Sequence, residues 1–290
     1  MIIRSLFIFS LSIIFSGFMH GRNNVHINDT YGDGAPPVST KFNAVLQKIE
    51  KQKQEPTNNL MIEIALQFLN TPYVASTLEK NETEQLIINL EAFDCMTFVE
   101  TCLAFSRTFH SENPNFDTYK NELTSIRYRD GIINGYTSRL HYTSDWIFDN
   151  QKKGVIYDKT KDIGGIILPL HVDYMSTHPT SYTHLATHPE DIPEIKKIED
   201  NINKRTYYYI PKEDIGDYEQ EIEPGDIICF VTSIKGLDIS HLGIAYQENK
   251  KLTFIHASTN AKKVIINPVS VSAYCKNIKH IKGVMILKCN

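Results

Sequence analysis

Three side chains have the types and spacing for nucleophilic chemistry: Cys95, His241 and His256. A thiol with a nearby base becomes a strong nucleophile, imidazole is the usual base, and a third polar group can orient that ring. Asp94 is a good helix N-cap, and Cys95, Phe98, Val99, Cys102 and Phe105 follow one helical face after it. Cys95 therefore falls in a first helical turn, where unpaired N–H groups and the helix dipole favour negative charge. This position predicts a lowered thiol pKa, a nucleophilic thiolate and N–H groups for an oxyanion, with the Asp94 charge partly opposed. Phe93 and Phe98 flank the cap at the spacing of a hydrophobic staple.

The bases come from much later in the chain. Residues 241–246 alternate as a strand, with Leu242, Ile244 and Tyr246 on one face and His241, Gly243 and Ala245 on the other. The histidine face is otherwise small, so a helix is expected to pack close against it and bring the thiol to His241. A polar turn leads into residues 252–257, an antiparallel neighbour that sets His256 beside His241 as its orienting partner. The other cysteines, Cys102, Cys229, Cys275 and Cys289, sit in apolar or terminal settings and read as buried inert thiols. Cys95 and Cys102 are seven residues apart on one helix, about 10 Å along the axis and too far to bridge.

These residues need helices first and a sheet afterwards. Periodicity predicts helices over 41–53 and 60–69, the second stopped by Thr71-Pro72-Tyr73. Strands are expected over 206–210, 226–231, 241–246, 252–257, 264–266 and 284–287, with Glu223-Pro224-Gly225-Asp226 as a turn. The fold class is α+β, N-terminal helices packed on an antiparallel sheet. Residues 113–193, punctuated by glycine, elaborate this core and shape a cleft. At 290 residues and 41% hydrophobic the chain can bury a substantial core, and a formal charge of -4 with no basic stripe argues against nucleic acid as partner. Arg4 and the short apolar run after it read as a signal peptide over residues 1–21, followed by a linker or strap over 22–40 and one domain over 41–290. Export is then expected, to a periplasm or out of the cell, with no membrane association once the signal is removed.

Leu69-Asn70-Thr71-Pro72-Tyr73-Val74, Phe93-Asp94-Cys95, His241-Leu242-Gly243-Ile244 and Phe254-Ile255-His256-Ala257-Ser258 together resemble the NlpC-type cell-wall peptidase superfamily. The resemblance implies a papain-like core and action on bacterial peptidoglycan or its muropeptide fragments. Asp94-Cys95-Met96-Thr97-Phe98 departs from the superfamily's Asp-Cys-Ser-Gly-Phe. With Tyr128-Arg129-Asp130-Gly131 and the stretch Arg139 to Trp146, it is similar to the divergent N-acetylmuramoyl-L-alanine amidase-like branch. That branch implies cleavage between N-acetylmuramic acid and the first L-alanine of the stem peptide. A D-glutamyl endopeptidase within the superfamily, or an inactive wall-binding module, are the alternatives.

Tyr73, Arg139, His141, Tyr142 and Trp146 are the candidate substrate contacts, because aromatic faces stack on sugar rings and a guanidinium suits a carboxylate. A core-packing role is the competing account of Asp145 and Trp146, and Met175 to His178 is a further stretch that could line the cleft. His171, His178, His184 and His188 lack metal-ligand spacing and read as loop histidines. No metal or organic cofactor is required by the expected acyl transfer.

Overall fold

Residues 37–52, 55–79 and 81–290 are described in this computed structural model, so the expected signal peptide and nearly all of the strap lie outside them. α1 (Val38–Ile49) follows Pro37 and turns Val38, Phe42, Val45 and Ile49 inward, the three-to-four spacing of a single buried stripe. α2 (Thr57–Gln67) follows Pro56 and buries Leu60, Met61, Ile64 and Ala65. Each begins three residues before its expected start, directly after a proline, whose missing N–H costs nothing at a helix entry. α3 (Cys95–His110) is buried almost all round and forms the central helix, with α4 (Phe116–Arg127) packed on it. After α4 the middle segment contains α5 (Thr143–Lys152), α6 (Tyr174–Thr177) and α7 (Thr183–Thr187), and it leads into α8 (Ile192–Ile202). Two strands of three residues, β1 (Ile156–Asp158) and β2 (Ile166–Leu168), also belong to it.

The remaining strands are β3 (Tyr207–Pro211), β4 (Ile227–Thr232), β5 (Ile239–Glu248), β6 (Lys251–Ser258), β7 (Lys263–Ile266) and β8 (Ile281–Cys289). They pair antiparallel in the order β2-β3-β8-β4-β5-β6-β7, and β1 also pairs with β8. α9 (Ile215–Tyr218) and α10 (Val271–Asn277) supply the second face. The result is a mixed α+β fold with helices on an antiparallel sheet. The expected turn before β4 forms: Asp226 N–H donates to the Glu223 carbonyl at 3.1 Å, and Gly225 takes φ 90°. A Cβ at Gly225 would lie 2.1 Å from the Asn58 carbonyl oxygen, so the position tolerates only glycine.

Each sheet face has its own core. Leu242, Ile244, Ile255 and Ala257 pack with Phe98, Val99 and Cys102 of α3. Ala245, Phe230, Phe254 and Val271 form the opposite cluster. This corrects the expectation that the helix carrying Cys95 lies on the face of His241, Gly243 and Ala245, which α10 covers instead. α3 takes the Leu242–Ile244 face, where larger side chains bury more apolar surface against it. The gap over Gly243 is filled by Phe254, whose Cδ2 would be 2.5 Å from an added Cβ.

Candidate active site

Asp94 starts α3 with a reciprocal cap. Its carboxylate accepts from the Thr97 N–H at 2.8 Å, and the Asp94 N–H donates to the Thr97 hydroxyl at 3.0 Å. Phe93 and Phe98 meet edge to face at 5.8 Å, the expected staple, and Phe93 also packs on Phe68 at 5.1 Å. The strand-like piece with Tyr73 is tied to both sides: Tyr73 N–H donates to the Lys262 carbonyl and Val74 N–H to that of Phe93. The entry of α3 and the Tyr73 segment are thereby fixed relative to the loop after β6. The Tyr73 phenol bonds to Thr259, and burial raises its pKa.

The sulfur of Cys95 lies at a split in the sheet. The β5–β6 ladder runs from Glu248 and Lys251 to Ile244 and Ile255, where it ends. β6 continues with β7 through His256, Ala257 and Ser258. Ala245 uses its N–H and carbonyl on the β4 side, so Leu242 projects its N–H toward the β6 side that has opened. That N–H is directed at the Cys95 sulfur, together with those of Cys95 and Met96. Just before it, the β4–β5 register jumps from Phe230–His241 to Val231–Ile239, leaving Ser240 as a bulge.

His241 and His256 project from the other face at the same split. His241 Nε2 stands 2.6 Å from His256 Nδ1, with the rings edge to face. Phe230 stacks on His241 at 5.8 Å, Phe254 packs on His256 at 4.6 Å, and the Tyr274 ring lies 6.4 Å from His241. Tyr274 also feels the charge of Cys95 from across the sheet. Cys95 lines a cavity of about 350 Å³, His241 and His256 one of about 370 Å³, and Ser240 borders both.

The signature of the AmiA-like, N-acetylmuramoyl-L-alanine amidase-like family matches residues 63–284. The chain belongs to this family. An N-acetylmuramoyl-L-alanine amidase from Bacteroides uniformis is similar in structure, with 37% identity, a TM-score of 0.78, and coverage of 81% of this chain and 99% of that one. A Bacteroides fragilis protein provisionally described as a xylanase is 37% identical with a TM-score of 0.70, covering 77% of this chain and 98% of that one. A Legionella pneumophila protein shares the fold at 22% identity, with a TM-score of 0.62 over 86% of this chain and 94% of that one. A comparison with curated proteins finds no match. As a member of the amidase-like family, the chain is a hydrolase of amides with peptidoglycan as the implied substrate. Among the described residues no helix is long and apolar enough to cross a membrane.

Electrostatics at this amidase-like site correct the expected thiolate. Burial first, and the Asp94 carboxylate second, push the Cys95 thiol up to about 12, against the three N–H groups that pull it down. Burial holds His241 down to about 4, and burial with the neighbouring His241 holds His256 to about 3. The helix-end effect is present, but removal from water outweighs it. At neutral pH the resting groups are a thiol and two neutral imidazoles. Cys102, Cys229, Cys275 and Cys289 are buried and unpaired, as the sequence suggests.

Of the expected substrate contacts, Tyr73, Arg139 and His141 line the Cys95 cavity. Arg139 is already held by Glu79 at 2.7 Å and Glu84 at 3.5 Å, and His141 Nε2 bonds the Tyr136 carbonyl. Two candidates are corrected. Trp146 is fully buried, with no face for a sugar, and the Tyr142 hydroxyl is committed to Glu199 and the Met175 N–H. Met175 to His178 do not border the Cys95 cavity. His184 stacks between Tyr136 and His188 and bonds Asp191, while His178 stacks on Tyr174. His171 lies beside Asp173. Sequence reasoning missed Ser240, Tyr274 and the ion pair of Glu100 with Arg127 at 2.7 Å that borders the cavity. A bulge and a seven-residue helix leave little periodic signal, and Glu100 and Arg127 are joined only by packing of α3 on α4.

Proposed function

We propose that this chain is a cysteine amidase that cuts the bond between the lactyl group of N-acetylmuramic acid and the L-alanine of the stem peptide. Cys95 is the nucleophile, His241 the base and His256 its orienting partner, on a core of papain-like, NlpC-type descent. The observation that carries the reading is the split between β5 and β6: the sulfur meets the Leu242 N–H there, next to the residue that bears the paired imidazole.

As the thiol attacks the amide carbonyl, its proton passes to the free nitrogen of His241, since neither group is ionised beforehand. The oxyanion forms against N–H groups of the first turn of α3. Collapse breaks the C–N bond, and His241 returns the proton to the departing L-alanine amine. Water then attacks the thioester, giving a proton to His241 that ends on the sulfur, and the muramic carboxylic acid leaves. Tyr73, Arg139 and His141 border the substrate on the Cys95 side. Residues 1–21 act as an export signal in this reading, which puts the enzyme where its substrate is.

Glycoside hydrolysis, the activity attached to the Bacteroides fragilis relative, needs a free pair of carboxyl groups across the scissile bond. Here Asp94 caps a helix and Glu100 is bound to Arg127, so the cavity offers no such pair. Digestion of defined muropeptides followed by mass spectrometry tests the assignment. Release of the intact stem peptide from the sugar is expected, and Cys95→Ala abolishes it. A cut inside the stem would indicate the D-glutamyl endopeptidase. Wall binding with no hydrolysis by the wild type would indicate an inactive module, and full activity in Cys95→Ala would remove the nucleophile.

A further inference from the structure

Asn267, immediately after β7, is buried and lines the same cavity as the two histidines. Four interactions fix it. Its N–H donates to the Phe254 carbonyl at 2.8 Å, and its own carbonyl accepts from the Thr253 hydroxyl at 2.7 Å. Its side-chain Nδ2 donates to the Val269 carbonyl at 2.8 Å, and its amide faces the His256 ring. The Val269 carbonyl can only accept, so the NH₂ end of the amide must stay there. A flipped amide would set two acceptor oxygens against each other. The end left to face His256 is therefore the oxygen.

His256 has its Nδ1 against His241, and its buried Nε2 has no hydrogen-bond partner within 3.5 Å among the described residues, so the Asn267 amide is the polar group placed to serve it. An oxygen beside Nε2 favours a proton on that nitrogen. A neutral imidazole with Nε2 protonated has a bare Nδ1, which must accept across the 2.6 Å contact. The proton in that contact then belongs to His241 Nε2, which leaves His241 Nδ1 bare. The opposite arrangement would put a hydrogen on His241 Nδ1 and disable it as a base. One contact between two neutral histidines permits either order, and the far end of the chain decides which is adopted.

We propose that Asn267 is a positioning residue that selects the tautomer of His256 and, through it, makes Nδ1 of His241 the basic nitrogen. The tautomer assignment rests on how the Asn267 amide is held in the cavity it shares with His256, whereas its consequence for rate rests on the functional reading above. Asn267 touches neither the sulfur nor the reacting carbonyl and acts only through His256.

Nitrogen-15 NMR of histidine-labelled protein at neutral pH reads the tautomers directly. In wild type, His241 and His256 are both expected as Nε2–H forms with bare Nδ1. In Asn267→Leu, part of the population should change to the Nδ1–H form of His241, and kcat should fall about tenfold or more with KM unchanged, as a wrong tautomer removes the base. His256→Asn provides the second arm, because an amide oxygen there accepts from His241 Nε2–H without help. Adding Asn267→Leu to His256→Asn should leave kcat within about twofold of the single variant. A structural role for Asn267 predicts the same loss in both backgrounds, and that result overturns the proposal. So does a wild-type NMR pattern in folded Asn267→Leu, or a His241 Nδ1–H form in the wild type. If Cys95→Ala retained activity, the functional reading would fail while the tautomer pattern was still decided by NMR.

Discussion

The ionisation of Cys95 can be tested without any substrate. With the thiol at about 12 and His241 at about 4, moving the proton from sulfur to imidazole is opposed by eight pK units. At 1.36 kcal/mol per unit that is on the order of 10 kcal/mol. The attraction between the resulting charges offsets about 4 kcal/mol, even for contact at about 4 Å with an effective dielectric of about 20. The neutral pair wins by several kcal/mol. A thiol of this kind is ionised to roughly one part in 100,000 at pH 7, and its reaction with iodoacetamide must rise about tenfold per pH unit. The assay is the second-order alkylation rate between pH 5 and 10, with Cys95→Ala as the blank because the other four cysteines are buried. Expected is a straight climb with no shelf. A preformed thiolate–imidazolium pair gives a fast plateau across pH 5 to 7, and observing one would refute the claim that burial dominates the helix end.

Two further outcomes follow from packing. Arg127→Met leaves the Glu100 carboxylate, 3% exposed, without its cation, so about 3–5 kcal/mol of stability should be lost in urea titrations; a loss under about 1 kcal/mol would show the pair to be dispensable. Gly225→Ala must both hold φ 90° and clear the Asn58 oxygen, so it should lower Tm far more than Gly135→Ala, which has φ 74° with open space around it and costs about 1–2 kcal/mol. Equal shifts in the two alanine variants would mean that the close approach to Asn58 relaxes freely.

The six longer strands were legible because each alternates or runs apolar within turn signals, and the capped start of α3 because Asp94, Phe93 and Phe98 are local neighbours. β1 and β2 escaped notice: three residues cannot establish a period, and their pairing with β8 and β3 is long-range. The pairing of His241 with His256 follows from a single hairpin. The Cys95 environment does not, since its pKa depends on how deeply α3, β5 and the Tyr73 segment enclose the sulfur. Trp146 misled for a similar reason. An aromatic side chain beside Arg139 and His141 in sequence has the composition of a sugar platform, but α5 turns it toward the core.

The split between β5 and β6 resolves what would otherwise be a contradiction. Alternation puts Leu242 and His241 on opposite faces, and α3 lies on the Leu242 face, so an unbroken ladder would separate sulfur from imidazole by the thickness of the sheet. β6 stops pairing with β5 after Ile255 while keeping β7 on its other edge, and this frees the Leu242 N–H at the level of the two histidines. The Ser240 bulge, which borders the cavities on both faces, strengthens the local twist on the β4 side of the same strand. The proposed pairing of Cys95 with His241 therefore depends on a failure of strand pairing, and the face preference read from alternation is a poor guide at a strand end where a ladder stops.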